Sequence, residues 1–86
     1  MIYKDGAIRK LSPKEYDLLL LFIKNPNKTF SRHELMDNLW GREYIGDIKT
    51  VDVHICRLRE KIEEDSTNPY HIETVWGYGY RWQGIQ

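Results

Sequence analysis

The side chains best suited to chemistry in this sequence lie between Asp47 and Ile62, where apolar residues recur at the spacing of a helix. The apolar face of this predicted helix is formed by Val51, Ile55, Leu58 and Ile62. Val53 and Arg57 lie on the opposite side. An arginine can donate two hydrogen bonds to guanine while an aliphatic group contacts a thymine methyl, so this pair fits the major groove of DNA. A solvated face with one exposed valine is the alternative interpretation.

Catalytic and metal-binding chemistry fits the same region poorly. Asp52, His54 and Cys56 have the residue types of a nucleophilic set, but helix residues two apart point about 160° away from each other, so His54 cannot reach Cys56. His33-Glu34 lacks the second histidine of a zinc-binding His-Glu-x-x-His motif. One cysteine and three scattered histidines also disfavour a structural metal site. We expect a protein that is not an enzyme and that needs no metal or cofactor.

The segment after this helix predicts a β-hairpin. β-Branched and aromatic residues occupy both arms, residues 71–76 and 80–82, and Gly77 and Gly79 lie at the bend, where a positive φ is needed. A helix with a reading face followed directly by a hairpin is the element order of a winged helix-turn-helix domain. The sequence therefore predicts an α+β fold of three helices with a C-terminal β-hairpin wing and a short N-terminal β-hairpin.

Two more helices are predicted by their start signals. Ser12 and Glu15 flank Pro13 in a capping box, and the helix that starts there is expected to end before Pro26. Its expected core residues are Tyr16, Leu19, Leu20, Phe22 and Ile23.

Ser31 and Glu34 repeat the capping box for the second helix, which Gly41 should end. Asp47 is expected to cap the third helix. Asp5-Gly6 predicts a tight turn between two short strands at the start of the chain, and Thr29-Phe30 predicts another short strand.

Length and charge limit the function classes. Eighty-six residues suffice for one domain only. Thirteen basic residues balance thirteen acidic ones, so indiscriminate coating of nucleic acid is not expected and any binding must come from locally placed cations. The single cysteine, the lack of a long apolar segment and a start unlike a signal peptide predict a cytoplasmic protein. A winged helix that binds only other proteins is the alternative, because a fold does not fix a function.

Several segments together resemble the DNA-binding effector domain of OmpR/PhoB-type response regulators. The resemblance extends from Lys10 to Trp82 and is carried by Leu11–Leu19, Phe30–Leu35, Leu39–Gly41, Thr50–Ile55, Arg57–Lys61 and Thr74–Arg81. It implies that residues 1–86 are a winged-helix effector domain, of a kind that normally follows a phosphorylatable receiver domain through which a sensor kinase acts. It also implies a tandem homodimer on direct-repeat half-sites of promoter DNA, and contact with RNA polymerase.

One departure concerns the N-terminus. Family members carry a four-stranded sheet before the first helix, whereas about one hairpin precedes Ser12 here. The chain is then either cut inside that sheet or naturally short, and in both cases the open strand edge could pair with another chain.

The resemblance assigns DNA-binding roles by position. The third helix would be the recognition helix, with Val53 and Arg57 facing bases, Lys49 and Thr50 facing phosphates, and His54 contacting base edges or backbone from the flank. Arg59 projects close to Asp52 on the helix and is interpreted first as half of an intrahelical or interhelical ion pair, and only second as a DNA contact. Trp40 could donate its indole N–H to a phosphate or lie in the core.

The wing and one loop complete the predicted site. Some family members have an arginine on the recognition helix at the position of Cys56, so one DNA contact is expected to be missing there. Many have an arginine at the wing tip where this chain has Trp76, which leaves Arg81, Thr74 and the glycine-bracketed backbone as wing candidates. The loop formed by Arg42, Glu43, Tyr44 and Ile45 takes the place of the family's polymerase-contacting loop.

Overall fold

The computed structural model describes the backbone of residues 2–4, 7–44 and 46–83, with side chains from residue 10 onward. In chain order its elements are β1 (Ile2–Lys4), β2 (Ala7–Arg9), α1 (Pro13–Lys24), β3 (Thr29–Ser31), α2 (Arg32–Trp40), α3 (Lys49–Ile62), β4 (Ile72–Val75) and β5 (Gly79–Trp82). β1 and β2 pair antiparallel, and a second antiparallel sheet has the order β3-β5-β4. The predicted α+β architecture with an N-terminal hairpin and a C-terminal wing is confirmed. The predicted Asp5-Gly6 turn lies outside the described residues.

Both predicted capping boxes are present. The Ser12 hydroxyl accepts the Glu15 N–H at 3.3 Å, and the Glu15 carboxylate accepts the Ser12 N–H at 2.8 Å. Ser31 and Glu34 make the same reciprocal pair at 3.1 and 3.0 Å. Each box satisfies backbone donors that a helix start leaves without partners, so both helices begin where the sequence predicts.

The start of α3 differs from the prediction by one residue. The helix begins at Lys49 with Ile48 as its N-cap, so Asp47 lies outside it. The Asp47 carboxylate nevertheless accepts the Lys49 N–H at 2.9 Å. Its side chain therefore still satisfies one free donor at the helix start, from a position further back than a true N-cap.

The predicted core face of α1 is partly wrong. Tyr16 and Ile23 are exposed, whereas Leu18 is buried together with Leu19 and Phe22, and Leu20 is half-buried. The buried stripe includes Glu15, whose carboxylate is 2.5 Å from the Lys61 ammonium. The buried face of α1 is therefore turned by about one residue from the predicted face. Burial of Glu15 on this face is possible because Lys61 of α3 pairs with its carboxylate, and the periodicity of α1 gives no sign of that partner.

The core lies between the helices and the inner face of the β3-β5-β4 sheet. Its aliphatic part comes mainly from Leu18, Leu35, Val51, Ile55, Leu58 and Ile72. Phe22 of α1 contacts two aromatic rings of the sheet, Phe30 at a centroid distance of 6.0 Å and Trp82 at 6.5 Å. This core fixes the inner face of α3 and leaves its outer face uncovered by the described residues. No helix of the described part is long and apolar enough to cross a membrane.

The two wing glycines have different roles. Gly77 adopts a φ of +78° at the bend, as predicted. Gly79 does not have a positive φ and lies in β5, where an added Cβ would stand 1.9 Å from the Phe30 carbonyl oxygen. The prediction that both glycines serve the bend is therefore wrong for Gly79, which is needed for the close approach of β3 and β5.

Candidate nucleic-acid interface

The outer face of α3 carries a row of exposed side chains. Lys49, Val53 and Arg57 follow one another at intervals of four residues, and Val53 keeps 45% of its surface exposed. The row runs along about 12 Å of the helix, with Cys56 exposed beside it. The opposite face, with Val51, Ile55 and Leu58, is completely buried. The structure thus brings a lysine, a valine and an arginine together on one exposed surface, as the sequence predicts.

One flank of α3 packs against the end of α2. The His54 ring lies edge-on to the Trp40 indole at 5.0 Å, and its Nδ1 is 2.9 Å from the Thr50 carbonyl oxygen. Trp40 is half-buried, with the Lys14 ammonium 5.5 Å from its ring. Trp40, Thr50 and His54 therefore form the margin between core and surface, and they border the exposed row rather than lie in it.

The other flank of α3 holds the wing, and here one sequence interpretation is wrong. Arg59 does not pair with Asp52. Its Nη2 donates to the Ile72 carbonyl at 2.7 Å and to the Thr74 hydroxyl at 2.8 Å, both in β4. Asp52 instead accepts from Arg32 Nε at 2.8 Å and from the Tyr80 hydroxyl at 2.5 Å. The predicted pair does not form because Arg59 binds a backbone carbonyl of the wing and Asp52 binds a different cation, Arg32 of α2.

These contacts shift the ionisation of the groups involved. Burial lowers the pKa of the Arg59 guanidinium below its ordinary value, while the hydrogen bond to Asp52 raises the pKa of Arg32. Burial, followed by the hydrogen bond to Asp52, raises the pKa of the Tyr80 hydroxyl above 10.0. The raised pKa keeps the Tyr80 hydroxyl protonated at neutral pH, so Tyr80 acts as a hydrogen-bond donor to Asp52.

The wing presents aromatic side chains at its tip and a cation on its strand. Trp76 is 90% exposed and Tyr78 is about half exposed. Thr74 is half-buried beneath Arg59, and Arg81 pairs with Glu73 across β4 and β5. The exposure of Tyr78 was not predicted, although its place between two glycines of the bend was a signal for it.

The loop between α2 and α3 is exposed at Arg42, Glu43 and Tyr44. The Tyr44 ring lies over the backbone of Gly46, since a Cβ built there would stand 2.2 Å from it, and is 6.2 Å from the Trp40 ring. Ile45 lies outside the described residues. Across the described ranges, no group of histidine, cysteine and acidic side chains could hold a metal ion.

Comparison with known proteins shows similarity to bacterial transcriptional regulators. A sequence model of the family described as "Transcriptional regulatory protein, C terminal" matches residues 6–82. The chain is 51% identical over 80 residues to the sensory transduction protein RegX3 of Mycolicibacterium smegmatis. The aligned region covers 93% of this chain and 35% of RegX3. The chain thus spans about a third of the length of this relative.

Two solved structures are similar in both fold and sequence. The response regulator DrrB of Thermotoga maritima, described as an OmpR/PhoB homolog, matches with a TM-score of 0.81 and 36% identity, over 87% of this chain and 34% of that one. The DNA-binding domain of Klebsiella pneumoniae RstA, solved in complex with the RstA box, matches with a TM-score of 0.75 and 37% identity, over 85% and 72% of the two chains.

Proposed function

The chain belongs to the family of C-terminal effector domains of OmpR/PhoB-type response regulators, and from this premise we propose that it binds double-stranded promoter DNA sequence-specifically. The observation that carries the proposal is the exposed row of Lys49, Val53 and Arg57 on α3. An α-helix with such a row fits the major groove, which is about 12 Å wide. The likeness to a DNA-binding domain solved in complex with the RstA box supports DNA binding by this chain.

Within this proposal each side chain has a role. Arg57 reads a guanine edge, Val53 contacts a thymine methyl, and Lys49 binds phosphate. Thr50, His54 and Trp40 border the row and contact the backbone or base edges beside it. Thr74 and Arg81 contact DNA from the wing, and Arg59 of α3 supports them through its hydrogen bond to Thr74.

The proposed context is a longer regulator. Residues 1–86 would be its output domain, preceded by a receiver domain through which a sensor kinase acts, since the chain matches 35% of the length of RegX3. In the cytoplasm two copies would bind direct-repeat half-sites as a tandem homodimer. The loop of Arg42, Glu43, Tyr44 and Ile45 would contact RNA polymerase, so replacing Tyr44 and Ile45 by alanine should reduce transcription while leaving DNA affinity nearly unchanged. The family is one of transcription regulators rather than enzymes.

Selection of bound sequences from a random duplex library, followed by gel mobility shift on the selected site, tests the proposal. We expect a preferred half-site, and tighter binding to two half-sites about one helical turn apart than to one. Replacing Val53 and Arg57 together by alanine should abolish the preference, whereas Tyr16→Ala, which changes an exposed residue of α1, should not. A failure to enrich any sequence would contradict the proposal and favour a protein-binding winged helix.

A further inference from the structure

Tyr80 of β5 lies where the wing meets both α2 and α3. Its hydroxyl donates to Asp52 of α3 at 2.5 Å, and the same carboxylate oxygen accepts from Arg32 of α2 at 2.8 Å. The guanidinium carbons of Arg32 and Arg59 lie over the Tyr80 ring, 5.8 and 5.5 Å from its centroid. The Tyr80 ring is buried, whereas the side chains of Arg32 and Asp52 remain partly exposed, so the ring forms the inner wall of this cluster.

Arg59 binds the other strand of the wing, β4, to the same edge of α3. Its Nη2 bonds to Ile72 and Thr74 of β4, and Thr74 is the register partner of Tyr80. Asp52 and Arg59 are seven residues apart on α3, which is two turns or about 10 Å. Each strand of the wing is therefore held at a different height along the recognition helix.

We propose that Asp52, Arg59 and Tyr80 act as a wing fastening, which fixes the tilt and distance of the wing relative to α3 so that both meet DNA as one rigid unit. This inference rests on the proposed DNA-binding function. None of the three residues belongs to the exposed row of α3, so they act as positioning residues.

The physical reason lies in the direction of the contacts. Apolar packing against the core holds the wing but is non-directional, so it resists separation better than it resists sliding or tilting. Hydrogen bonds to charged groups are short, directional and stronger than neutral ones. Two such attachments fix a hairpin in orientation as well as in place. The cost of ordering the wing is then met during folding rather than during DNA binding.

Tyr80→Phe is the sharpest test because it removes the hydroxyl and keeps the ring. Ile72→Val is a matched control, because it removes one buried methyl group from the wing and leaves every fastening hydrogen bond in place. In the free protein, hydrogen exchange of the β4 and β5 amides should quicken in Tyr80→Phe relative to the α1 amides. The same exchange should quicken less in Ile72→Val when the two variants are compared under conditions that give them equal global stability.

The second readout is made on DNA selected by the unsubstituted protein. Tyr80→Phe should lose hydroxyl-radical protection over the wing-contacted segment, keep protection under α3, and bind about tenfold more weakly. Arg81→Ala, which removes a proposed wing contact with DNA, should weaken binding in the unsubstituted background and have little added effect in Tyr80→Phe.

Three outcomes separate the hypotheses. Unchanged wing exchange and an unchanged wing footprint in Tyr80→Phe would overturn the fastening, as would equal losses in Tyr80→Phe and Ile72→Val. If the unsubstituted protein binds no duplex, the proposed function is wrong, while the exchange measurement still decides whether the fastening exists.

Discussion

Arg57 and Arg59 stand two positions apart on α3, and the fold uses them in opposite ways. Arg59 is half-buried and donates to the wing at Ile72 and Thr74. Arg57 is exposed in the row with Lys49 and Val53. Arginine offers a planar fork for base edges, whereas lysine is a point charge suited to phosphate. Removal of Arg57 and removal of Lys49 should therefore differ in kind and not only in size.

We expect Arg57→Ala to cost about 1 to 3 kcal/mol of binding free energy on the selected site and to relax the preference at one base position. Lys49→Ala should weaken binding to all sequences alike and lower the salt dependence by about one unit. Titration of single-base site variants at several salt concentrations measures both effects. A uniform loss for Arg57→Ala would mean that it binds phosphate, and base reading would then fall to Val53 and His54.

The glycines of the wing provide a second prediction for single residues. Gly77→Ala places a Cβ in open space but keeps a φ of +78°, so we expect a loss of about 1 kcal/mol in unfolding free energy. Gly79→Ala drives a Cβ into the Phe30 backbone, and because a backbone cannot rotate away like a side chain, the loss should be about 3 kcal/mol or more. Urea unfolding of the two variants compares them. Equal losses would show that β3 and β5 separate easily.

At the scale of elements, a buried carboxylate connects α3 to the wing. Glu63 is 1% exposed, and its two oxygens accept the backbone N–H groups of Tyr70, His71 and Ile72 at 2.8 to 3.0 Å. These donors would otherwise be buried without partners where the chain turns from helix to strand. Glu63 therefore fixes the position of the backbone where β4 begins, next to the Ile72 carbonyl to which Arg59 donates.

Glu63→Gln should lower the free energy of unfolding by about 1 to 3 kcal/mol, because an amide N–H₂ would face backbone donors. Glu64→Gln is the matched control, since it removes the same charge from an exposed neighbour. Denaturant unfolding of both variants at neutral pH makes the measurement. The anchoring role would be refuted by equal stability of the two proteins.

For the whole molecule, the pairing of Glu15 with Lys61 links α1 to α3 at 2.5 Å. Burial is the largest influence on the pKa of Glu15 and raises it, but hydrogen bonds from Lys61 and Ser12 together outweigh burial, so the pKa lies below 4.5. The backbone N–H of Ser31 lowers the pKa of Glu34 in the same direction. A carboxyl whose pKa is lower in the folded state binds protons more readily when unfolded.

Stability contributed by these two groups is therefore complete above the unfolded value of 4.5 and is lost as the pH falls through it toward the lower folded values. We expect unfolding free energies to decline below pH 4.5, and Glu15→Gln to flatten part of that decline. Urea titrations at a series of pH values measure the slope. An identical slope in Glu15→Gln would assign the acid response to other carboxyls.

Features of the fold that depend on near neighbours along the chain could be predicted from the sequence. Both capping boxes join residues three apart, and the end of α2 at Gly41 depends on one residue's backbone freedom. The buried and exposed faces of α3 follow from helical periodicity alone, which is why Lys49, Val53 and Arg57 could be placed on one surface in advance. Resemblance of whole segments added the winged-helix family.

Which charged and aromatic side chains the fold pairs with one another depends on contacts between residues far apart in the sequence. Arg59 meets Ile72 across 13 positions, Arg32 meets Asp52 across 20, and Tyr80 meets Asp52 across 28. The burial of Glu15 likewise depends on Lys61, 46 positions away. A local sequence pattern predicts the face of a helix or strand on which a side chain lies. It does not predict which partner on another element that side chain will contact. For polar groups that partner decides between burial and exposure, because an unpaired charge cannot leave water.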